Sequence, residues 1–365
     1  MNECREKAPI PEVASSFALG FIVICLVIYI LNVARAIVIP FVIAVFVWYL
    51  INAMARGFGR GSLGGRSIPR LACFTLAILA LAFGVWEIFE LISQNIALVA
   101  KAAPLYQKNL EELVPKIVLL LHIEHQPTVQ ELFTYLDLGS IMTTMVKMLS
   151  GIAGKTLVVM FYTGFLLYEQ RFFDKKISGM IGAPETERHV RHILRNIDIK
   201  VQRYIWVKTL VSALAGILTF VVLRSWQVDF AAFWGLMAFF LNFIPYIGAL
   251  TAIVLPAMIA LVQFSDMTTF LIVLAGLSAV HGGIGHALDP FLMGKSLNLS
   301  PIFIISSLAM WGMIWGIPGM FLSIPILAVV MITLSQFPAT RPIAVLLSKT
   351  GVIDPDGTEQ DGGKT

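Results

Sequence analysis

The sequence contains few charged residues and few cysteines. Charged residues occupy 13% of the 365 positions, whereas a soluble domain typically has about 25%. Hydrophobic residues occupy 58%, and the mean hydropathy is +0.85. The three cysteines are too scattered for a disulfide framework or a zinc site: Cys4, Cys25 and Cys73. This composition predicts an all-α, polytopic membrane protein.

The sequence also lacks the residue patterns of common enzymes. Residues Gly59–Gly64 match the dinucleotide-binding pattern, but they follow an apolar helix instead of a strand, so we interpret the match as chance. The residues around Lys155 resemble the end of a P-loop, but the first glycine of that motif would have to be at position 149, which is Leu149. Two histidine pairs lie in ordinary polar stretches: His122/His125 and His189/His192. We therefore expect no catalytic residue, no metal site and no cofactor.

Six apolar stretches are predicted to be full membrane spans. They cover residues 16–34, 36–51, 71–92, 151–168, 204–223 and 267–288. Only Arg35 separates the first two stretches, which predicts a tight helical hairpin. Three glycines near the end of the sixth stretch predict the close approach of another helix: Gly282, Gly283 and Gly285.

Two further apolar segments are interrupted near their middles by proline and glycine. Residues 230–264 contain the motif Asn242–Gly248, and residues 301–337 contain Gly316–Gly319. Each segment would form a helix of roughly 50 Å, longer than the ~30 Å hydrocarbon core but short for two full crossings. The interruptions expose backbone polar groups that hydrocarbon cannot satisfy. We therefore predict two broken or re-entrant helical hairpins beside a cavity, with ordinary spans joined by tight turns as the alternative.

Paired broken helices point to the substrate site of a transporter, so we place the predicted substrate pathway at these interruptions. Its candidate residues are Asn242, Pro245, Tyr246, Gly248, Gly316, Pro318 and Gly319. Ionisable side chains at membrane depth are costly and commonly face a cavity or a partner. The candidates for a gate or a coupling step are Lys208, His281, His286 and Asp289. The alternative is that Lys208 snorkels to the surface and that the other three are ordinary interfacial residues.

Changes in composition divide the chain into five parts. They are a three-span region (1–93), an extramembrane helical insert (94–150), two spans with a cytoplasmic amphipathic helix (151–229), a core with two broken hairpins (230–347) and a disordered tail (348–365). The insert has apolar residues at helical spacing among polar residues and prolines. Three placements are open for the insert: packing on its own helices, lying in the lipid interface, or contacting a neighbouring subunit.

The positions of Lys and Arg predict the orientation of the chain. With both termini in the cytoplasm, 18 of the 26 cations lie on the cytoplasmic side and 7 on the other side, with Lys208 inside a span. Cytoplasmic loops of membrane proteins carry such an excess of Lys and Arg. We therefore predict a multi-pass protein with both termini in the cytoplasm.

Several motifs resemble those of one family of permeases. They are Asn242–Gly248, Asp289–Lys295 with Leu299–Pro301, Gly316–Gly319 with Ser323–Pro325, and Ile343–Ser348. Together they resemble the autoinducer-2 exporter (AI-2E) family over nearly the whole chain, and are most similar to its autoinducer-2 transport branch. The resemblance implies a secondary transporter of the bacterial inner membrane that exports a small polar signalling molecule. It also implies a homo-oligomer, with a pentamer as one form.

Three functions are compatible with these features. The first is export of a small uncharged molecule such as autoinducer-2 through a site at the two broken helices. The second is exchange of a monovalent cation such as Na⁺ for a proton, because related members of the family resemble such antiporters. The third is a membrane scaffold that docks partners without transport. In each case we expect contacts with membrane lipid and none with nucleic acid.

Overall fold

The computed structural model describes residues 10–60, 62–63, 66–67, 69–121, 138–181, 184–293 and 298–351. These residues form helices and short connections, apart from a small antiparallel pair of strands, β1 (Ser62–Leu63) and β2 (Arg66–Ser67). The predicted all-α architecture is therefore confirmed. The predictions that concern residues 122–137, Lys295 and the tail beyond Gly351 lie outside the described residues.

The structure describes thirteen α-helices. In chain order they are α1 (Ile10–Val33), α2 (Arg35–Arg60), α3 (Arg70–Leu121), α4 (Leu138–Glu169), α5 (Phe173–Met180), α6 (Pro184–Ser225), α7 (Ala231–Leu241), α8 (Ile247–Phe264), α9 (Met267–Gly283), α10 (Asp289–Met293), α11 (Pro301–Trp315), α12 (Ile317–Ser335) and α13 (Arg341–Leu347). A 3₁₀ turn (Gln170–Phe172) joins α4 to α5, and a π-helical turn (Ile284–Leu288) joins α9 to α10.

Six of the described helices are long and apolar enough to cross a bilayer. They are α2, α3, α6, α8, α9 with its π-helical turn, and α12. The helices α7 and α11 are also apolar, but they have only 11 and 15 residues. Each of these two short helices precedes a longer one after a break. Both predicted broken segments therefore consist of one short and one long helix.

The first two apolar runs form one interrupted helix and not the predicted hairpin. Ala34 alone separates α1 from α2, and its N–H still donates to the Ile30 carbonyl at 2.8 Å. The Ala34 carbonyl accepts from the Val38 N–H at 2.9 Å. A single residue with helical hydrogen bonds on both sides bends a helix but does not reverse it. The prediction was wrong because Arg35 is exposed, and a helix carries an exposed cation without a turn.

Helix α3 continues from the third apolar stretch into the predicted insert without a break. It has 52 residues and is roughly 78 Å long at 1.5 Å per residue. In the extension, Tyr106 donates to the Asp229 carboxylate and Asn109 donates to the Gln263 carbonyl, both at 2.7 Å. Burial, and then the hydrogen bond to Asp229, raise the pKa of the Tyr106 hydroxyl, so it stays protonated and keeps donating. These contacts attach the extension to the turn after α6 and to the end of α8.

Helix α6 is also longer than a membrane span. Its 42 residues extend over roughly 63 Å and join the predicted amphipathic helix and the predicted fifth span into one rod. Near its start, Arg191 pairs with Asp174 of α5 at 2.7 Å and with Glu187 at 2.8 Å. These ion pairs position α5 along the first turns of α6.

Helices α6 and α7 approach each other closely at two glycines. A Cβ added to Gly216 would lie 2.6 Å from the Gly235 carbonyl oxygen, and one added to Gly235 would lie 2.8 Å from the Gly216 carbonyl oxygen. Small residues allow membrane helices to pack backbone against backbone. The close approach predicted at three other glycines is wrong, because a Cβ there would meet no described atom within 4 Å: Gly282, Gly283 and Gly285.

Gly235→Ala is expected to lower the melting temperature of the purified protein in detergent. The added methyl group would meet backbone and the Phe220 Cβ at 2.9 Å, so α6 and α7 must move apart. We expect a loss of about 1–3 kcal/mol, which is typical of overpacking a filled interior. Gly282→Ala is the matched control, and its melting temperature should be unchanged or slightly higher. Equal melting temperatures for the two variants would contradict the assigned helix contact.

Candidate functional site

The first broken segment folds as a helical hairpin, here named hairpin 1, whose arms are α7 and α8. Pro245 lies in its tip (residues 242–246), where proline cannot continue the hydrogen bonding of a helix. A Cβ on Gly248 would overlap the Leu241 carbonyl oxygen, so the start of α8 needs glycine to pass the end of α7. Tyr246 has a φ of 60°, which a non-glycine residue rarely adopts. The tip is therefore a tight, strained turn and not a kink in one helix.

The second broken segment folds as hairpin 2, whose arms are α11 and α12. Gly316 alone separates the arms, with a φ of 68° and a ψ of −143°, a conformation that only glycine adopts readily. Next to the tip, a Cβ on Gly319 would overlap the Trp311 carbonyl oxygen. Further from the tip, the Ser307 hydroxyl donates to the Ser323 carbonyl at 3.2 Å. The two arms therefore lie side by side along their length.

Hairpin 1 starts at the C-terminal end of α6 and points toward the middle of that helix. Its base packs at that end, where Ala231 and Ala260 share a buried cluster with Leu223. At its tip, the Asn242 side-chain amide donates to the Ser212 hydroxyl oxygen at 3.0 Å. Ser212 precedes Leu223 by about three helical turns, so the tip reaches roughly 16 Å along α6 from the base.

Helix α2 runs antiparallel to α6 and provides a reference for the direction of hairpin 2. Near the C-terminal end of α2, the Arg56 guanidinium donates to the Gln202 side chain in the first half of α6. Phe46, in the middle of α2, packs against Phe243 in the tip of hairpin 1, with ring centroids 6.0 Å apart. That tip contacts Ser212, further along α6. The start of α2 therefore lies toward the C-terminal end of α6.

Hairpin 2 approaches from the opposite end of α6. Ile324 of its α12 arm packs against the buried cluster around Tyr204. Trp315, beside its tip, packs against the start of α2 and donates to the Leu31 carbonyl at 3.1 Å. The hairpin therefore points toward the C-terminal end of α6, against the direction of hairpin 1.

The two hairpins meet in an aromatic cluster. The ring centroids of Phe243 in the tip of hairpin 1 and Phe321 in the first turns of α12 are 4.5 Å apart. Phe46 lies 5.2 Å from Phe321, and Phe239 lies 5.6 Å from Phe243, in both cases between ring centroids. Aromatic pairs at such distances attract each other by about 0.5–1.5 kcal/mol beyond the effect of buried area. The cluster therefore connects the broken tip of one hairpin to the other hairpin.

One face of α6 carries a line of buried polar side chains. Tyr204, Lys208 and Ser212 are four residues apart, so they lie above one another on the helix, and Thr219 continues the line two turns further. Tyr204 is 2% exposed and Lys208 is 6% exposed, while Ser212 and Thr219 are fully buried. Polar groups at such depth need partners. Three of these four side chains find one on another element.

Lys208 forms an ion pair with Asp289 inside the protein. The Lys208 ammonium lies 2.9 Å from Asp289 Oδ2, and the two side chains are 7% and 22% exposed. The amine is therefore bound to a carboxylate and does not extend to the surface. Asp289 follows the π-helical turn Ile284–Leu288, which adds a residue to one turn and rotates the chain that follows. This rotation helps to bring the carboxylate to α6.

Two further polar contacts join the same face of α6 to other elements. Ser212 accepts from Asn242, which ties the tip of hairpin 1 to α6. The Thr219 hydroxyl and Nε2 of His281 in α9 lie 3.1 Å apart, within hydrogen-bond distance. His281 is only 4% exposed. Helix α6 thus contacts α9, hairpin 1 and α10 through polar side chains at three levels.

Several buried polar atoms have no hydrogen-bond partner among the described residues. They include the Tyr204 hydroxyl, Oδ1 of Asp289 and Nδ1 of His281. A buried polar atom without a partner costs roughly 1–3 kcal/mol. This part of the protein therefore has hydrogen-bonding capacity that its own described side chains do not use.

The structure brings together part of the predicted site. Lys208 and Asp289 form the ion pair, and Asn242 is buried at the tip of hairpin 1. His281 is also buried against α6, about three turns from Lys208. His286 is exposed on the π-helical turn. The other predicted pathway residues lie in or beside the two tips: Pro245, Tyr246, Gly248, Gly316, Pro318 and Gly319.

Sequence reasoning missed several residues of this region. They are Tyr204, Ser212, Thr219 and Phe321. The interval of four between Tyr204, Lys208 and Ser212 in an apolar stretch is a signal that could have found two of them. No local pattern places Phe321 beside Phe243, because the contact joins distant parts of the chain. Among the described residues, no group of three or more His, Cys, Asp or Glu could hold a metal ion.

Comparison with known proteins identifies one family. Residues 19–339 match the model of the AI-2E family transporter. The chain is 29% identical to the AI-2 transport protein TqsA of Escherichia coli (strain K12) over 322 residues, which cover 86% of this chain and 90% of TqsA. It is 25% identical to a Haemophilus influenzae protein over 340 residues, covering 90% and 95% of the two chains. It is 26% identical to YhhT of Escherichia coli (strain K12) over 327 residues, covering 87% and 89%.

All three relatives are named as transport proteins. The names of the second and third refer to transport and give no substrate. The family match includes α6 and both hairpins, and thus every residue of the candidate site. The family match and the six helices long and apolar enough to cross a bilayer together indicate a multi-pass bacterial membrane protein. The chain belongs to the AI-2E family of transporters.

Proposed function

We propose that this protein exports a small polar signalling molecule of the autoinducer-2 type across the bacterial inner membrane. The observation that carries the proposal is the meeting of two broken hairpins that approach α6 from opposite ends. Broken helices are tolerated at membrane depth where they are buried in protein or line a wet cavity, and paired broken helices mark transport sites. The buried polar face of α6 lies beside this meeting point and supplies polar groups for a substrate.

In this mechanism each hairpin controls access from one side. Hairpin 1 reaches the site from the C-terminal end of α6, and hairpin 2 reaches it from the other end. The contact between Phe243 and Phe321 closes the route when both hairpins are in place. Movement of one hairpin while the other stays in place opens the site to one side at a time. Such alternating access needs no covalent step.

A small uncharged molecule with several hydroxyl groups suits this site. The Asn242 amide and the Ser212 hydroxyl can donate and accept hydrogen bonds without carrying charge. The nearby pair of Lys208 and Asp289 is neutral as a whole. The relative TqsA is named as an AI-2 transport protein, which supports autoinducer-2 as the class of substrate.

We place the inner gate at the pair of Lys208 and Asp289. The pair joins α6 to α10, which precedes hairpin 2 in the chain. Its separation would release the segment that leads into that hairpin. The contact between His281 and Thr219 holds α9 to α6 about two turns beyond Ser212, on the other side of the site from this pair. His286 stays a predicted gate residue, and it is exposed on the π-helical turn.

Three further features of the protein are also proposals. Both termini lie in the cytoplasm, which the distribution of Lys and Arg supports. The protein forms a homo-oligomer such as a pentamer, and it has no enzymatic activity. The names of the three relatives refer to transport, and none refers to cation exchange or to a scaffold. We therefore propose export alone.

Liposomes that contain only this protein and are loaded with autoinducer-2 should release it faster than protein-free liposomes. The protein supplies a pathway that the bilayer lacks, so release follows the concentration gradient. External autoinducer-2 is measured over time, with and without an imposed proton gradient, because a change in rate would indicate proton coupling. Protein reconstituted after heat denaturation is the control. Release equal to that of protein-free liposomes under both conditions would contradict the proposal.

Linking the two hairpins should stop this release. Cysteines replace Phe243 and Phe321 in a variant whose three native cysteines are changed to serine, and a short reducible thiol cross-linker joins them. Because the hairpins can no longer separate, release should fall to the rate of protein-free liposomes and recover after reduction. The two single-cysteine variants, treated in the same way, are the controls. Continued release from fully linked protein would show that the hairpins need not separate.

Replacing both Lys208 and Asp289 should slow transport with little loss of stability, whereas replacing one of them should also destabilise the protein. Lys208→Met or Asp289→Leu alone leaves one largely buried charge unpaired and should lower stability by about 2–4 kcal/mol. The double variant removes both charges and should recover much of the melting temperature, while autoinducer-2 release from liposomes stays slow. Release at the original rate from the double variant would exclude the pair from the gate.

A further inference from the structure

The hydroxyl of Tyr204 is a buried polar group that the export mechanism above does not use. The residue is 2% exposed, and its hydroxyl has no hydrogen-bond partner among the described residues. Oδ1 of Asp289 is likewise buried and without a partner, although Oδ2 of the same carboxylate binds Lys208. Buried polar atoms are nearly always hydrogen-bonded in folded proteins. Two such atoms beside one ion pair therefore indicate a place where a bound molecule supplies the missing hydrogen bonds.

The three side chains lie close to one another. Tyr204 and Lys208 are four residues apart on α6, so they are neighbours on one face of the helix. Asp289 binds Lys208 at 2.9 Å. The ion pair therefore lies between α6 and α10, and Ile324 of α12 packs beside Tyr204. The Asp289 side chain is 22% exposed and that of Lys208 only 7%, so a molecule would reach the cluster from the side of Asp289.

The charges of the cluster decide which kind of molecule fits. Lys208 and Asp289 neutralise each other, so an added cation would lie beside an ammonium group and an added anion beside a carboxylate. A neutral molecule avoids both repulsions. The unused atoms are one carboxylate oxygen, which accepts hydrogen bonds, and one phenol hydroxyl, which donates or accepts. Neighbouring hydroxyl groups of a polyol match this combination.

We propose that Tyr204, Lys208 and Asp289 form a binding subsite for a neutral polyhydroxylated molecule. One hydroxyl of this molecule donates to Asp289 Oδ1, and a neighbouring hydroxyl accepts from the Tyr204 hydroxyl. The subsite lies about one helical turn from Ser212, which holds the tip of hairpin 1. The identification of autoinducer-2 as the natural ligand rests on the proposed export function. The class of ligand, a neutral polyol, follows from the cluster itself.

The main test compares Tyr204→Phe with the unchanged protein in detergent. In the absence of ligand, removal of the hydroxyl should be neutral or stabilising, because the hydroxyl has no described protein partner to lose. The melting temperature of the ligand-free variant should therefore stay the same or rise. Its affinity for autoinducer-2, measured by isothermal titration calorimetry, should fall about tenfold, the effect of one lost hydrogen bond to a ligand.

Tyr29→Phe is the matched control, because Tyr29 lies on α1, is 65% exposed and is outside the site. This variant should bind autoinducer-2 as the unchanged protein does. A second measurement needs no variant and tests the proposed class of ligand even if Tyr204→Phe fails to fold. The unchanged protein is titrated with autoinducer-2, erythritol, sodium chloride and sodium lactate. The two neutral polyols should bind, and neither Na⁺ nor lactate should bind or compete.

The outcomes separate the subsite from the export proposal. Unchanged affinity in a folded Tyr204→Phe overturns the subsite and leaves export intact, since it means that water alone satisfies the two atoms. Binding of erythritol but not of autoinducer-2, weakened in Tyr204→Phe, supports the subsite and contradicts autoinducer-2 as the substrate. Binding of neither polyol, or binding of Na⁺ or lactate at the same place, overturns the subsite.

Discussion

A broken helix inside a membrane protein is stable only if the polar groups at the break find partners within the protein. At the tip of hairpin 2, the Gly316 N–H and carbonyl keep hydrogen bonds to Gly312 and Met320. At the tip of hairpin 1, the side chain of Asn242 binds Ser212 of α6. This requirement explains why α6 carries polar side chains inside the core: a hairpin tip needs a polar group on the helix that it contacts. The buried polar face of α6 and the two hairpins are therefore parts of one arrangement.

Close packing determines where the tips can reach. The contact between Gly216 and Gly235 brings the backbones of α6 and α7 together, and this proximity lets the short side chain of Asn242 span the gap to α6. The base of hairpin 1 is held separately, because the α3 extension binds Asp229 and the Asp266 side chain caps α9 through two backbone N–H groups. The Thr269 hydroxyl also donates to this carboxylate, and its hydrogen bond, followed by those of the two backbone N–H groups, lowers the pKa of Asp266. These contacts hold the base of hairpin 1 independently of its tip.

Local chemistry explains which predictions succeeded. Pro245 and Gly316 interrupt helices by themselves, because proline has no N–H to donate and glycine alone adopts the required backbone conformation readily. The hairpin predicted at Arg35 was wrong, because an exposed cation does not end a helix. His286 and Asp289 are near neighbours in sequence, yet one is exposed and the other binds Lys208. The π-helical turn causes this difference, and the usual helical spacing does not anticipate it.

The sequence by itself determined which segments are apolar helices, where two of them break and which family the motifs resemble, because these properties depend on local composition and backbone stiffness. Only the tertiary structure decided that the two hairpins point in opposite directions and that Phe243 meets Phe321. It also decided that Lys208, Ser212 and Thr219 receive partners from three different elements. These contacts join residues far apart in the chain, so they depend on how closely the helix backbones pack and not on any local pattern.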